Sequence, residues 1–317
     1  MKYIDFQDIK IPAIVLGTWS WGTGLNGGNA IFGNNYQAKD LKPVYDKAVE
    51  SGFTLWDTAF VYAMGSSEKI LGSFIKNNKD IIVSTKFTPL GIFDAPVEKS
   101  LNKSCLNLNR KAIDIYFIHR PQNVKKWTTQ LIPLMKNKKI KYAGVSNHNL
   151  AEIKEAKSIL ESAGLKLSCI QNHYSLVFRV SERNGILDFC KKNNITFFSY
   201  MTLEQGALTG RYNSKNPFKP GSRRAGAFTP DVLNKIEGLK NKLKQIGDKH
   251  GADEAQIAMA WAIAKGTIPV IGVTKESHVQ GALGALNITL EDGDINVLEK
   301  AASETGVEIK GSWENIV

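Results

Sequence analysis

The chain has 317 residues, 43% hydrophobic and 22% charged, which excludes a disordered or collagen-like chain and supplies apolar material for one large core. Its formal charge is +11, from 41 basic and 30 acidic residues. The lysines are spread over many predicted helix faces with no dense basic run among aromatics, so no nucleic-acid partner is expected.

In chain order, residues 1–12 read as a short hairpin ahead of the main fold. An apolar run over 13–19 reads as a buried strand, and a glycine- and asparagine-rich loop follows over 20–36. Residues 40–51 have helical apolar spacing, with Asp40 placed to cap the start and Gly52 to end it. The alternation then repeats, with strands over 53–57, 81–87, 113–119, 140–146, 168–172 and 195–200. Helices are predicted over 67–77, 95–107, 126–138, 149–163 and 182–193. Residues 231–249 and 254–265 both read as helices, one more than a single repeat needs. The last strand is 268–273, followed by helices over 276–286 and 292–304.

Eight short strands, apolar on both faces and alternating with helices, predict an α/β fold: a closed (β/α)8 TIM barrel with an N-terminal hairpin and extra helices, one domain over 1–317. Cys105, Cys169 and Cys190 are widely spaced and form no CxxC, so neither a disulfide framework nor a metal site is indicated. No apolar run reaches the ~20 residues that span a bilayer, and none near the N-terminus has signal-peptide length. A soluble cytoplasmic protein with no membrane partner is expected. The oligomeric state is not readable.

Chemistry in such a barrel sits at the C-terminal ends of the strands. Asp57, Lys86 and His119 fall at the ends of three successive strands, and Tyr62 lies in the loop after Asp57. Taken singly, each has a plainer reading: a cap, a packed ring, a core histidine. Together they suit proton donation to a carbonyl oxygen. A cationic lysine near a phenol stabilises the phenolate and makes the phenol a better acid. A carboxylate keeps the lysine charged, and a histidine orients the carbonyl. No side chain supplies hydride, which implies a nicotinamide cofactor.

These residues, in Asp57-Thr58-Ala59-Phe60-Val61-Tyr62, Gly65-Ser66-Ser67-Glu68, Ser84-Thr85-Lys86-Phe87 and Asp114-Ile115-Tyr116-Phe117-Ile118-His119, resemble the aldo-keto reductases over essentially the whole chain. The resemblance implies Tyr62 as general acid, Lys86 lowering its pKa, Asp57 paired to Lys86, and His119 positioning a small carbonyl or alcohol substrate. It also implies a bed for NADP(H): Gly17, Thr18 and Trp19 after the first barrel strand, Asp57, Ser146 and Asn147 with Gln171 at the carboxamide, and Tyr200 stacked on the nicotinamide. Leu203, Gln205 and Arg211 are the implied pyrophosphate contacts, and Gly272, Thr274, Lys275 and His278 lie toward the adenosine 2′-phosphate. Gly281-Ala282 replace the family's usual adenine-contacting Glu-Asn pair, which leaves NAD(H) open as an alternative coenzyme.

Gly22-Thr23-Gly24-Leu25-Asn26-Gly27 also matches GxGxxG. A dinucleotide fingerprint needs a helix opening at those glycines, and loop is expected instead. Trp19, Trp21, Phe32, Phe93, Trp127, Phe228 and Trp313 are candidate walls of the substrate mouth. The 213–229 loop, with Lys215, Lys219, Arg223 and Arg224, folds over the pyrophosphate or lies in solvent. The expected activity is reduction of an aldehyde or ketone to the alcohol. The alternative is an NADP-binding regulator resembling ion-channel β subunits.

Overall fold

The structure, a computed structural model, describes residues 1–91 and 94–311. Two strands, β1 (Tyr3–Phe6) and β2 (Ile9–Pro12), form an antiparallel hairpin. Eight more close into a barrel: β3 (Val15–Gly17), β4 (Leu55–Asp57), β5 (Ile82–Phe87), β6 (Ile113–Ile118), β7 (Ile140–Ser146), β8 (Leu167–His173), β9 (Thr196–Tyr200) and β10 (Ile268–Gly272). Neighbours in sequence are neighbours in space, and β10 closes on β3, so the predicted (β/α)8 barrel is what the chain forms. Every barrel pairing is parallel.

Two apolar populations explain the closure. Val15, Leu55, Ile115, Phe117, Cys169, Phe198 and Ile268 cluster inside the barrel. A larger set, including Leu16, Trp56, Val83, Tyr116 and Ile170, alternates with them and meets the helices outside. Strand residues thus bury both faces, which is why the sequence shows continuous apolar runs. Phe6 of the hairpin meets Tyr142 edge-on at 4.9 Å and Phe198 at 6.0 Å, so the hairpin stoppers the barrel floor. Gly144 is required inside, because a Cβ there would lie 2.5 Å from the Phe117 ring and 2.8 Å from Cys169 Sγ.

Four expectations need correction. The first barrel strand is three residues, not seven, because the backbone beyond Gly17 turns to tie Thr18 N to Asp57 O at 2.9 Å. The helix Ala38–Glu50 starts earlier than read; Gln37 is its N-cap, and Asp40 instead accepts from Gln37 N at 2.9 Å. The helix expected over 182–193 is two, Val180–Arg183 and Ile186–Lys192, split at Gly185 with φ 74°. The loops expected over 20–36 and 213–229 each contain a five-residue helix, Gly28–Phe32 and Arg223–Ala227. The GxGxxG run therefore does precede a helix, but a one-turn helix on a barrel strand does not make a dinucleotide fold.

Between β9 and β10 the chain forms Pro230–Lys235, Glu237–His250 and Glu254–Ala264. Glu276–Ala285 and Asp292–Glu304 follow β10. No helix among the described residues is long and apolar enough to cross a membrane.

Candidate active site

The pairing of β4, β5 and β6 brings three strand ends together. Asp57 is aligned with Ser84 and Lys86 with Phe117. Beyond the strands the ladder continues: Thr58 N donates to Ser84 O and His119 N donates to Phe87 O, both within 2.9 Å. Lys86 is fully buried, where an unpaired ammonium would be costly. Its Nζ donates to Asp57 Oδ2 at 2.6 Å, to Thr58 O at 2.8 Å and to Tyr62 Oη at 3.5 Å. Three acceptors match the three N–H bonds of an ammonium. Asp57 Oδ1 accepts from Ser84 Oγ at 2.5 Å and from Gln171 Nε2 at 3.0 Å, which fixes the carboxylate.

Tyr62 opens a tight turn, Tyr62–Gly65, in which Ala63 and Met64 have φ of 50° and 51°. That left-handed pair is strained for side-chain residues and aims the phenol at Lys86. Trp19 stacks on the Tyr62 ring at 5.9 Å, and His119 meets it edge-on at 6.1 Å. Thr88 Oγ1 shares a 2.8 Å hydrogen bond with His119 Nδ1 and sets the imidazole's orientation. Burial pushes His119 well below its ordinary range, and the charges of Lys86 and Arg120 push it the same way, so the ring is neutral at neutral pH. Burial raises the Tyr62 pKa, with the Asp57 charge adding to it. The direction is opposite to the lowering by Lys86 that the sequence led us to expect. The phenol therefore stays protonated at neutral pH. Burial lowers the Lys86 pKa, opposed by Asp57 and Glu68.

The coenzyme residues implied by the resemblance fall along one rim, from β3 and β10 round to β7, β8 and β9. Gly17 and Gly272 are paired neighbours at the ends of β3 and β10. Asn147 Nδ2 donates to His119 O at 2.9 Å and to Ser146 Oγ at 3.1 Å, and Tyr200 Oη donates to Asn147 Oδ1 at 2.5 Å. Ser146, Asn147, Gln171 and Tyr200 thus stand together beside Asp57 and His119. Leu203 is half-buried next to the turn Glu204–Gly206. Gln205 has φ 54°, and its Oε1 is buried with no hydrogen-bond partner among the described residues. That acceptor, unsatisfied inside the chain, fits a rim that takes up a polar ligand. Further along, Thr274 N donates to His278 Nδ1 at 3.2 Å. Burial lowers the His278 pKa, as do the charges of Lys275 and Arg211, so the ring is a neutral group within reach of two cations. The rim therefore fits a nicotinamide dinucleotide.

Several readings change. Thr18 is fully buried, its Oγ1 bound to Ser67 Oγ at 2.7 Å, so its side chain ties the loop after β3 to the loop after β4. Trp21 is core, with Nε1 donating to Val273 O at 2.6 Å; Trp127 and Phe228 are core as well. Phe93 and Trp313 lie outside the described residues. Phe32 is half-buried and meets Trp19 edge-on at 5.2 Å. Ala282 is buried in the core, whereas a Cβ on Gly281 would meet nothing within 4 Å. The 213–229 segment does not lie free in solvent: Arg224 Nη1 donates to Gln205 O at 3.3 Å and Nη2 to Phe32 O at 3.1 Å, bridging two loops of the rim.

Sequence reasoning missed Ser84, Thr88, Glu68 and the pair His173–Glu204. Glu68 is fully buried and accepts from Thr85 Oγ1 at 2.7 Å and Asn107 Nδ2 at 2.9 Å. Burial raises its pKa against those bonds and the nearby Lys86 charge. His173 Nε2 shares a 2.8 Å hydrogen bond with Glu204 Oε1, and its ring stacks on Tyr200 at 5.5 Å and Phe178 at 4.0 Å. A buried carboxylate written into a turn, Glu204, was the available signal.

The sequence model described as "Aldo/keto reductase family" matches residues 13–303. The chain belongs to the aldo-keto reductase family. An uncharacterised oxidoreductase of Mycobacterium tuberculosis is 30% identical, covering 95% of this chain and 93% of its own. A Schizosaccharomyces pombe protein named aldo-keto reductase yakc [NADP(+)] is 27% identical, covering 94% and 90%. The crystal structure of a thermostable aldo-keto reductase, Tm1743, with the inhibitor epalrestat superposes with a TM-score of 0.76 at 26% identity, covering 95% of this chain and all of that one. This aldo-keto reductase is accordingly an oxidoreductase of the carbonyl-reducing class.

Proposed function

We propose that the protein reduces an aldehyde or ketone to the alcohol with NADP(H), Tyr62 acting as general acid. The observation that carries this reading is the buried Asp57–Lys86 pair with Lys86 Nζ 3.5 Å from the Tyr62 phenol. Bound NADPH supplies hydride, which no side chain offers. The chain's own residues do the rest. Asp57, fixed by Ser84 and Gln171, keeps Lys86 charged and aimed. Lys86 donates to the phenol oxygen and stabilises negative charge as the proton leaves. His119, neutral and oriented by Thr88, offers Nε2 to the carbonyl oxygen. Trp19 and Phe32 form an apolar wall that excludes water from the mouth.

Gly17, Trp19, Ser146, Asn147, Gln171, Tyr200, Leu203, Gln205, Arg211, Gly272, Thr274, Lys275 and His278 are the residues we assign to the coenzyme. The cations Arg211 and Lys275, near the neutral His278, favour the phosphate of NADP(H) over NAD(H), in line with the coenzyme in the fission-yeast relative's name. Titration of the purified protein with NADPH and NADH by fluorescence, then turnover over a carbonyl panel, tests the reading. The expected result is tighter NADPH binding with oxidation dependent on the carbonyl. Tight binding without turnover over a broad panel would replace catalysis with a sensing or regulatory role.

A further inference from the structure

The pair His173–Glu204 has no part in the proton-donating group, but it meets both halves of the proposed coenzyme bed. Glu204 is fully buried and opens the turn Glu204–Gly206. Its Oε1 shares a 2.8 Å hydrogen bond with His173 Nε2 and accepts a second from Ser175 Oγ. Its Oε2 is buried with no hydrogen-bond partner among the described residues. A carboxyl oxygen left bare in the interior is costly, so packing alone does not account for a glutamate here. The backbone around it is strained as well. Met201, Glu204 and Gln205 have φ of 56°, 47° and 54°, in the left-handed region that side-chain residues avoid. Such a turn persists only where its surroundings over-determine it. The carboxyl's bonds to the end of β8 and the segment after it supply that restraint from the inside. His173, in turn, is the register neighbour of Tyr200 on β9, and the two rings stack at 5.5 Å with 24° between their planes. Phe178 lies nearly parallel to the His173 ring at 4.0 Å, and Tyr200 Oη donates to Asn147 Oδ1 at 2.5 Å. One carboxyl therefore joins the turn that carries Gln205 to the ring of Tyr200.

We propose that Glu204 is a positioning residue for the coenzyme: through His173 it holds the Tyr200 ring, and through its own backbone it holds Gln205, so that the nicotinamide stack and the pyrophosphate turn keep one fixed spacing. The proposal rests on the carbonyl-reductase reading, which assigns Tyr200 and Gln205 to NADP(H). Glu204 and His173 touch neither coenzyme nor substrate; they act through their neighbours. Directional hydrogen bonds set a spacing that apolar packing of similar volume does not, because hydrophobic burial has no direction. The adenosine end is carried by a different segment, the one after β10, and its own affinity does not depend on this linkage.

The test measures, on the full chain, the affinity for NADPH, the affinity for 2′,5′-ADP, which offers only the adenosine end, and single-turnover reduction of the fastest aldehyde of the carbonyl panel. Glu204→Ala should weaken NADPH and slow the single turnover by about tenfold each, with 2′,5′-ADP affinity kept within about twofold. Glu204→Gln keeps an acceptor oxygen for His173 and Ser175 and should return both quantities to within about threefold of wild type. The double variant His173→Phe with Glu204→Leu separates positioning from stability. Replacing both partners of a buried pair by apolar groups is often neutral for folding. The double variant should therefore melt close to wild type while still showing the loss in NADPH affinity and rate, and it keeps the test open if Glu204→Ala does not fold. Wild-type NADPH affinity and single-turnover rate in the folded double variant would overturn the proposal. So would a loss of 2′,5′-ADP affinity as large as the loss for NADPH, since that marks general structural support. Weakened NADPH in the variants, with no aldehyde reduced even by wild type, would keep the positioning role and defeat the reductase reading. Reduction by wild type and equally by the variants would do the reverse.

Discussion

The two ends of the proposed coenzyme rim are built differently. At the nicotinamide end, Asp57, Lys86, Ser84 and Gln171 lock one another through bonds of 2.5–3.0 Å on rigid strand ends. At the adenosine end, Arg211 and Lys275 are exposed side chains on loops, and Gly281 offers no side chain at all. The first end is preorganised before any ligand arrives, and such order is what proton transfer needs. The second works through charge, which tolerates looser geometry but is screened by salt. Rate should therefore depend on the first end and coenzyme choice on the second.

Breaking the rigid end should have the largest effect. Lys86→Met leaves Asp57 buried beside an apolar chain, and removing one partner of a buried pair costs about 3–5 kcal/mol. Turnover should also fall by ~10²–10⁴-fold, the usual contribution of a positioned proton-transfer group. A melting curve and steady-state rates on one preparation check both. The loose end should respond differently. Lys275→Met is expected to weaken NADPH by roughly tenfold and NADH hardly at all, with kcat changed little, since the lost interaction is one charge-assisted contact. Raising the salt concentration should shrink that difference.

The boundary between the ends is Tyr200, backed by His173–Glu204. Glu204→Ala leaves His173 without its bound carboxylate and should cost about 1–3 kcal/mol, read by denaturant unfolding. A smaller effect is expected far from both ends. Burial opposes ionisation of Glu182, but hydrogen bonds from Arg179, Lys265 and Tyr174 outweigh it and hold the carboxyl down to about 2 from 4.5. The folded state thus binds this proton less readily than the unfolded chain, so its contribution is full above pH 4.5 and is lost as pH falls toward 2. The melting-temperature gap between wild type and Glu182→Gln should narrow through that window.

Strand ends made the rigid part readable. A charged residue closing an apolar run, as at Lys86 and Asp57, conflicts with burial unless it has a partner, and the order of strands supplied the partners. The barrel was readable for the same reason, since strands covered on both faces leave continuous apolar runs. What supports those residues was not readable. Ser84, Thr88 and Glu68 act through bonds between strands and helices far apart in sequence, and such bonds have no period. Trp21 looked like a wall residue in a glycine-rich loop, yet its indole N–H is satisfied by Val273 O across the barrel closure. Gly185 ended a helix whose apolar spacing ran on past it; the Asn184-Gly185 pair was a turn signal that periodicity overrode. Thr18 faces inward because the backbone beyond β3 bonds to Asp57, a turn that the length of the apolar run concealed.

The most direct test of the account is Tyr62→Phe, with NADPH affinity and single-turnover carbonyl reduction measured on the same protein. In the proposed mechanism the rigid end delivers the phenol's proton, and the ring's packing against Trp19 is retained in phenylalanine. The account predicts coenzyme affinity close to wild type with reduction slowed by at least ~10²-fold. Reduction at the wild-type rate would contradict it.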